Sequence, residues 1–166
     1  IREAQESRGL GDVYKRQTMD RNRPVQIGTD ANWNVVEAGS AHTLALRTDG
    51  TLWAWGYNQT GAVGDGTKIH RSSPVPIGTS TWSSLAGGGA HSAAVRSDGT
   101  LWTWGVDFNG QLGIGGSSGR SSPTQVGTDS DWKTVVAGMS HTIAIRTDGS
   151  LWGWGANGRR QLGDVP

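Results

Sequence analysis

The sequence predicts an all-β fold made of β-propeller blades, and two observations support this prediction. The chain has 166 residues with 27 glycines and only 17% charged residues, which favours a turn-rich β protein. It also contains three copies of one unit, spaced 49 and 50 residues apart, a period typical of solenoids, propellers and arrays. All nine tryptophans fall at equivalent positions of this unit: Trp33, Trp53 and Trp55; Trp82, Trp102 and Trp104; Trp132, Trp152 and Trp154.

The first half of the unit contains three candidate strands. Residues 24–27 form a short extended stretch that ends at the glycine that follows it. Residues 33–38 mix large apolar and polar side chains. Residues 42–47 alternate between apolar and polar with a period of two, which indicates a half-buried strand.

The second half contains a hairpin and a long loop. Asp49 and Gly50 supply the residue types of a tight hairpin turn, and residues 52–55 form the returning strand. A glycine-rich loop, residues 56–73, then leads to the next unit. Four antiparallel strands per unit of this length predict propeller blades. The repeats span approximately residues 24–73, 74–122 and 123–166, three units of an incomplete ring.

The first 17 residues have no counterpart in the repeats. Residues 12–17 resemble the translation of a transposase adapter from sequencing libraries, and such segments are left out of fold reasoning. We therefore expect residues 1–17 to be an artefactual or disordered tail and residues 18–166 to be a partial propeller. We also expect a fragment of a longer protein, so localisation stays open between extracellular and cytoplasmic.

Three short motifs recur in the same order in every repeat. In the first repeat they are Gly-x-x-His-Thr from Gly39, Asp-Gly-x-Leu-Trp-x-Trp-Gly from Asp49, and a glycine-rich loop at residues 58–64. With these motifs, residues 24–163 resemble the regulator of chromosome condensation repeat family. The resemblance implies a seven-bladed propeller, of which three units are less than half. WD40 repeats are shorter, and the kelch glycine pair occurs only in the second copy.

The loop motif departs from the family pattern at several positions. Asp107 replaces the asparagine that begins the loop, and Ala62-Val63 replace Gln-Leu in the first repeat. Arg160 stands where the other repeats have Gly61 and Gly110. If that position needs a positive φ, Arg160 carries a strain that glycine avoids.

Three residue types that often form active sites recur in every repeat. A catalytic site is rarely built three times, so we interpret these residues as structural. We expect the histidines to satisfy backbone groups inside their own blade, the aspartates to form turns and the tryptophans to pack in the core. The histidines and aspartates are His42, His91, His141, Asp49, Asp98 and Asp148.

The same positions allow two functional alternatives. The three histidines could hold a metal ion, but equivalent atoms of adjacent blades are too far apart for coordination bonds of about 2 Å. The tryptophans could form a stacking platform for a glycan or a nucleobase. The sequence shows no nucleophile with a nearby base, so we predict no metal, no cofactor and no enzymatic activity.

The charge distribution bears on the class of partner. The net charge is +1; residues 1–23 contribute +2 (six Lys/Arg, four Asp/Glu) and the remainder contributes −1. A nucleic-acid binder normally shows a basic face, so a nucleic-acid partner is not expected. No apolar run approaches the roughly 18 residues that span a bilayer.

The positions that differ between copies are the candidates for recognition, because binding residues tend to lie on loops displayed by a rigid frame. Phe108 and Tyr57 follow the Trp-Gly step as possible contact aromatics, and the alternative is that each ring folds against its own blade. Lys68 and Arg71 form a small cationic cluster. The full candidate set is Tyr57, Gln59, Thr60, Lys68, Arg71, Phe108, Asn109, Arg120 and Arg159.

Near-identical repeats without insertions favour a non-enzymatic protein-interaction or scaffold module of a bacterial-type repeat protein. The resemblance implies an alternative, a guanine-nucleotide exchange factor for a small GTPase, but the wedge-like insertion used by the founding member is not seen between these repeats. A glycan-binding propeller is the second alternative. The expected partners are proteins, the missing blades, or a second copy bound through open strand edges.

Overall fold

The computed structural model describes residues 20–163, and the predicted tail at residues 1–17 lies outside them. This part of the chain contains strands and no helix, which confirms the all-β prediction. The described residues fall into two units, divided between Asp30 and Ala31. The strands are β1 (Trp33–Ala38), β2 (His42–Arg47), β3 (Thr51–Gly56), β4 (Arg71–Gly87), β5 (His91–Arg96), β6 (Leu101–Gly105), β7 (Arg120–Gln125), β8 (Trp132–Ala137), β9 (His141–Arg146) and β10 (Leu151–Gly155).

The strands form three antiparallel blades of an incomplete propeller. Blade 1 consists of β1, β2, β3 and the first part of β4. Blade 2 consists of the second part of β4 with β5, β6 and β7. Blade 3 contains β8, β9 and β10 within the described residues. Four-stranded blades are therefore confirmed in the first two cases.

Each blade takes its fourth strand from the next sequence repeat. Val75 pairs with Ala54 of β3, and Thr124 pairs with Thr103 of β6. Residues 24–27, their counterpart in the first repeat, form no strand, so the strand predicted there is wrong. No strand precedes residues 24–27 in the described chain, and an extended segment needs a partner to satisfy its backbone groups.

A shorter linker makes β4 unusually long. The segment from Gly78 to Trp82 has one residue fewer than the segment from Gly127 to Trp132. In the first case the fourth strand of blade 1 and the first strand of blade 2 run on as one strand of 17 residues. In the second case residues 126–131 separate β7 from β8.

The antiparallel strands place two kinds of connection at opposite ends of the blades. The end with the tight turns between the second and third strands is called the hairpin face. It also carries the linkers that precede Trp82 and Trp132. The opposite end is called the loop face, and it carries the long loops at residues 57–70, 106–119 and 156–163.

The hydrophobic core lies between the blades. One cluster joins Leu44, Leu52 and Val63 of blade 1 to Trp82 and Trp104 of blade 2. A second cluster joins blade 2 to blade 3 and includes Val95, Leu101, Trp132 and Val135. Because each blade completes the core of its neighbour, the relative position of adjacent loops is set by packing.

The predicted strain at Arg160 is present in the structure. Arg160 has a φ of 60°, and it is the one non-glycine residue with a positive φ in the described segment. The equivalent Gly61 and Gly110 have φ values of 80° and 74°. Left-handed backbone costs a residue with a Cβ roughly 1 kcal/mol, which glycine avoids.

Candidate functional site

The repeated histidines connect adjacent blades. His42 Nε2 lies 2.8 Å from Ser92 Oγ in blade 2, and Ser92 Oγ donates to the Ala62 carbonyl at 2.7 Å. Because the hydroxyl proton is used on the carbonyl, the hydroxyl oxygen accepts from the imidazole N–H. The prediction that each imidazole bonds backbone groups of its own blade is therefore wrong for Nε2. The side chain reaches a hydroxyl of the next blade instead.

The same arrangement joins blade 2 to blade 3. His91 Nε2 lies 3.0 Å from Thr142 Oγ1, which donates to the Gln111 carbonyl at 2.8 Å. Burial lowers the pKa of His42 and of His91 from 6.5 to about 4, so both rings are neutral near pH 7. His141 is half-buried at the same position of blade 3. The described residues contain no cluster of histidines or carboxylates with the geometry of a metal site.

Two indole N–H groups strengthen these interfaces from the loop side. Trp104 Nε1 donates to the Ala62 carbonyl at 2.8 Å, and Trp154 Nε1 donates to the Gln111 carbonyl at 3.0 Å. Ala62 and Gln111 belong to the long loops of the loop face. Each loop is therefore held by a hydroxyl and an indole of the following blade, which mounts the variable residues on a rigid frame.

Six of the other tryptophans stack with arginines at the hairpin face. The guanidinium carbon of Arg47 lies 3.8 Å from the Trp53 ring centre, and that of Arg96 lies 3.6 Å from the Trp102 centre. In blade 3 the corresponding distance from Arg146 to Trp152 is 4.4 Å. A second indole, Trp33, Trp82 or Trp132, lies on each guanidinium at 5.1, 5.1 and 4.6 Å. Each of these arginines therefore lies against two indole rings and reduces the ring surface open to a stacking ligand.

The repeated aspartates begin the hairpin turns. Asp98 Oδ1 accepts from the backbone N–H of Thr100 at 3.0 Å and from its hydroxyl at 2.6 Å. The same oxygen of Asp49 is bonded by Thr51, and that of Asp148 by Ser150. The hydroxyl hydrogen bond holds the pKa of all three carboxyls below its usual value. These groups are exposed and engaged in turns.

The loop face contains a groove between the loops of blades 1 and 2, which we call the loop groove. It encloses about 320 Å³, and Phe108 lies along it with 82% of its surface exposed. Five of the nine predicted binding residues meet in this groove. They are Gln59, Thr60, Lys68, Phe108 and Arg120, together with Val106, Asp107, Gly119 and Ser121.

The loop groove combines cationic edges with buried acceptors. Lys68 and Arg120 are exposed, and Arg120 Nη1 donates to the Ser118 carbonyl at 3.0 Å. Asp107 is completely buried: Oδ1 accepts from the Leu112 N–H, while Oδ2 has no hydrogen-bond partner. Thr60 Oγ1 also lacks a partner. Buried polar atoms normally have partners, so Asp107 and Thr60 each keep one unsatisfied atom beneath the surface of the groove.

Asp107 is a site residue that sequence reasoning did not place in the groove. In blade 1 the equivalent Asn58 donates from Nδ2 to Asp65 Oδ1 and to the Thr67 and Ile69 carbonyls, each at 3.1 Å. A carboxyl group lacks the amide N–H donors that asparagine uses for these three bonds. The sequence signal that could have drawn attention to Asp107 was the replacement of asparagine by aspartate at this position.

The remaining predicted residues lie outside the groove or are engaged elsewhere. Tyr57 stacks on His70 at 4.8 Å and donates to Gln59 Oε1 at 2.8 Å. Arg71 forms an ion pair with Asp65 at 2.5 Å. Asn109 and Arg159 are exposed turn residues whose backbone N–H groups donate to Gln111 Oε1 at 2.8 Å and Gln161 Oε1 at 2.9 Å, and Arg159 belongs to blade 3.

The sequence profile of the regulator of chromosome condensation (RCC1) repeat matches residues 49–95 and 98–145. A second profile of the same repeat matches residues 35–62, 82–111 and 132–161. Together with the three blades, these matches decide the family. The chain belongs to the RCC1 repeat family.

The matches to individual relatives cover only part of each relative's length. It is 43% identical over 42 residues to the ultraviolet-B receptor UVR8 of Arabidopsis thaliana, 25% of this chain and 10% of that protein. It is 32% identical over 72 residues to the human regulator of chromosome condensation, 41% of this chain and 17% of that protein. The crystal structure of Prp20p from Saccharomyces cerevisiae superimposes with a TM-score of 0.67 at 25% identity, covering 75% of this chain and 33% of that one.

Within residues 20–163, no helix is long and apolar enough to cross a membrane.

Proposed function

We propose that this RCC1-repeat chain is a protein-interaction module that binds a partner in the loop groove without catalysing a reaction. The observation that supports this most is Phe108, an aromatic ring with 82% of its surface exposed beside a cavity of about 320 Å³. Large aromatic side chains dominate binding energy in protein interfaces. The surrounding loops are rigidly mounted by the blade interfaces, which reduces the entropy lost on binding.

The groove chemistry suggests the kind of segment it binds. Phe108 offers an apolar contact, and Lys68 and Arg120 offer positive charge at the edge. A protein segment with an aliphatic or aromatic side chain next to Asp or Glu complements this surface.

The related proteins support a binding role in general terms. Prp20p, whose blades superimpose on those of this chain, binds Gsp1p and histones. Exchange-factor activity and glycan binding remain alternatives without a supporting feature here. The described loops between the blades show no added domain or wedge, and arginines cover the tryptophan faces at the hairpin face.

The test is selection of a displayed random-peptide library on the whole chain, with counter-selection on the double variant Phe108→Ala/Arg120→Glu. Both side chains are exposed, so the variant is expected to keep its fold. We expect the selection to enrich peptides in which an apolar residue stands next to Asp or Glu. These peptides should bind the wild-type chain and not the double variant. Selected peptides that share no such pattern, or that bind both proteins equally, would contradict the proposal.

A further inference from the structure

A groove at the hairpin face of blade 2 surrounds an arginine whose counterpart in blade 3 binds carboxylates. This groove, which we call the Arg96 groove, encloses about 530 Å³. It is lined by Thr79, Ser80, Thr81, Arg96, Ser97 and Asp98. Because it shares no residue with the loop groove, binding here does not depend on the proposed function.

Blade 3 shows what this arginine position can bind. Arg146 Nη2 donates to Asp129 Oδ2 at 2.5 Å, and Arg146 Nη1 donates to Asp131 Oδ2 at 3.5 Å. The guanidinium lies at the same time on the Trp132 and Trp152 rings. The planar fork of arginine suits such pairs of carboxylates, and the stacked indoles hold it in one orientation.

Blade 2 has the same arginine and indoles but lacks the acids. Arg96 stacks on Trp102 and Trp82 as Arg146 stacks on its own pair. The Thr81 carbonyl accepts from the Ser97 N–H at 3.1 Å, as the Asp131 carbonyl accepts from the Thr147 N–H at 2.8 Å. These bonds establish that Thr81 and Asp131 are structurally equivalent.

Thr79 precedes Thr81 by two residues, as Asp129 precedes Asp131 in blade 3. Within residues 20–163, no carboxylate forms an ion pair with Arg96. In blade 3, Asp129 and Asp131 both pair with Arg146. The shorter linker explains why the space beside Arg96 is open. Residues 79–81 run straight as part of β4, while the longer segment that contains Asp129 and Asp131 forms a loop.

Asp98 lies in the Arg96 groove but is compatible with an anionic ligand. Its carboxylate is bonded to Thr100 in the hairpin turn. Asp148 occupies the same turn position in blade 3, where Arg146 binds two carboxylates. The negative charge of the turn therefore does not prevent carboxylate binding at this position.

We propose that the Arg96 groove binds an extended acidic segment of a protein partner through two carboxylates spaced two residues apart. The spacing is that of Asp129 and Asp131, which occupy alternate positions of one segment in blade 3. The partner supplies in trans the pair of acids that blade 3 supplies from its own linker. Arg96 is the recognition residue, and Trp82 and Trp102 hold its guanidinium in place.

The probe is a peptide with the sequence of residues 127–132, Gly-Thr-Asp-Ser-Asp-Trp, compared with the same peptide carrying Asn for both Asp residues. Binding is followed on the whole chain by the Nε–Hε NMR signals of the arginines. We expect the acidic peptide to shift the Arg96 signal and not that of Arg146, with the Asn peptide at least roughly tenfold weaker. Equal binding of the two peptides, or no change at Arg96, overturns the proposal.

Two sets of variants supply the controls. Thr79→Asp/Thr81→Asp provides the acids in cis and is expected to abolish the peptide shift, whereas Thr79→Asn/Thr81→Asn preserves it. Asp129→Asn/Asp131→Asn releases Arg146 and is expected to add a second peptide site. An unchanged response in the first variant overturns the assignment to Arg96. Succinate binding as tight as that of the peptide overturns the assignment to a protein segment.

Discussion

At the scale of single residues, the Gly-x-x-His spacing has a steric cause. A Cβ atom added to Gly39, Gly88 or Gly138 would overlap the imidazole ring of the histidine three residues later. The ring lies on the glycine Cα and is thereby aimed at the next blade, where His42 and His91 meet a hydroxyl. None of these three positions has a positive φ, so the backbone conformation does not require glycine. The glycine is needed because the imidazole ring approaches so closely.

Substitution of Gly88 tests this packing. Gly88→Ala forces the buried His91 ring to move and is expected to lower the free energy of unfolding by about 1–3 kcal/mol, as overpacking does elsewhere. Gly116→Ala is the matched control, because nothing lies within 4 Å of its added Cβ. Urea denaturation of both variants measures the difference. Equal stability of the two would show that the ring does not need the glycine.

The buried imidazoles also predict how stability depends on pH. The pKa of His42 and His91 is about 4 in the folded chain and 6.5 when solvated, so between these values the unfolded state binds more protons. Stability is therefore complete above pH 6.5 and falls as the pH decreases toward 4. The loss is on the order of 3 kcal/mol for each histidine.

Urea midpoints measured between pH 7 and 4.5 test this dependence. His91→Gln should flatten the slope of stability against pH, and the control His70→Gln, at an exposed loop residue, should retain it. A wild-type chain whose midpoint is constant over this range would show that the two buried histidines keep an ordinary pKa.

At the scale of elements, the sequence predicted which segments form strands but not which strands pair with each other. Alternation in residues 42–47 and the Asp-Gly turn predicted β2 and β3 correctly. Neither pattern shows that residues 74–77 complete the blade of the preceding repeat, because periodicity describes one strand and pairing depends on its neighbours. For the same reason the histidine partners were assigned to the wrong blade, and the loop groove could be predicted only as a set of variable residues.

The interface between blades predicts the effect of removing one hydroxyl. Ser92→Ala leaves the buried His42 Nε2 without its hydrogen-bond partner, while the Ala62 carbonyl keeps the Trp104 indole, and the expected loss of stability is about 1–3 kcal/mol. Ser92→Thr should be tolerated, because Thr142 fills this position in blade 3. Ser83→Ala, at an exposed serine, is the control. Thermal unfolding that does not distinguish Ser92→Ala from Ser83→Ala would contradict this role.

At the scale of the whole molecule, β10 of blade 3 presents an apolar face that nothing within residues 20–163 covers. Leu151 of β10 is 68% exposed, whereas its counterparts Leu52 and Leu101 are 1% and 0% exposed in the cores shared with the following blade. Trp152 is also 47% exposed. Exposed apolar residues at a position that packs against the next blade in blades 1 and 2 favour association with another chain.

We expect the 166-residue chain to self-associate through β10. Leu151→Lys should weaken the association by roughly tenfold, since it removes a leucine that the contact would bury. Ile69→Lys, at a loop residue that is 62% exposed, is the control for added charge. Sedimentation velocity over a range of concentrations measures both variants. A wild-type chain that stays monomeric throughout would contradict the expectation.

The proposed function places binding in the loop groove, and Phe108 is the exposed aromatic residue of this groove. The most direct measurement is the Kd of a peptide selected on the whole chain, determined for the wild type, Phe108→Ala and Met139→Ala. Met139 is a matched control because it is apolar, 78% exposed and outside the groove. We predict that Phe108→Ala raises the Kd roughly 30-fold or more and that Met139→Ala leaves it unchanged. Equal affinities for the three proteins would show that the loop groove is not the binding site.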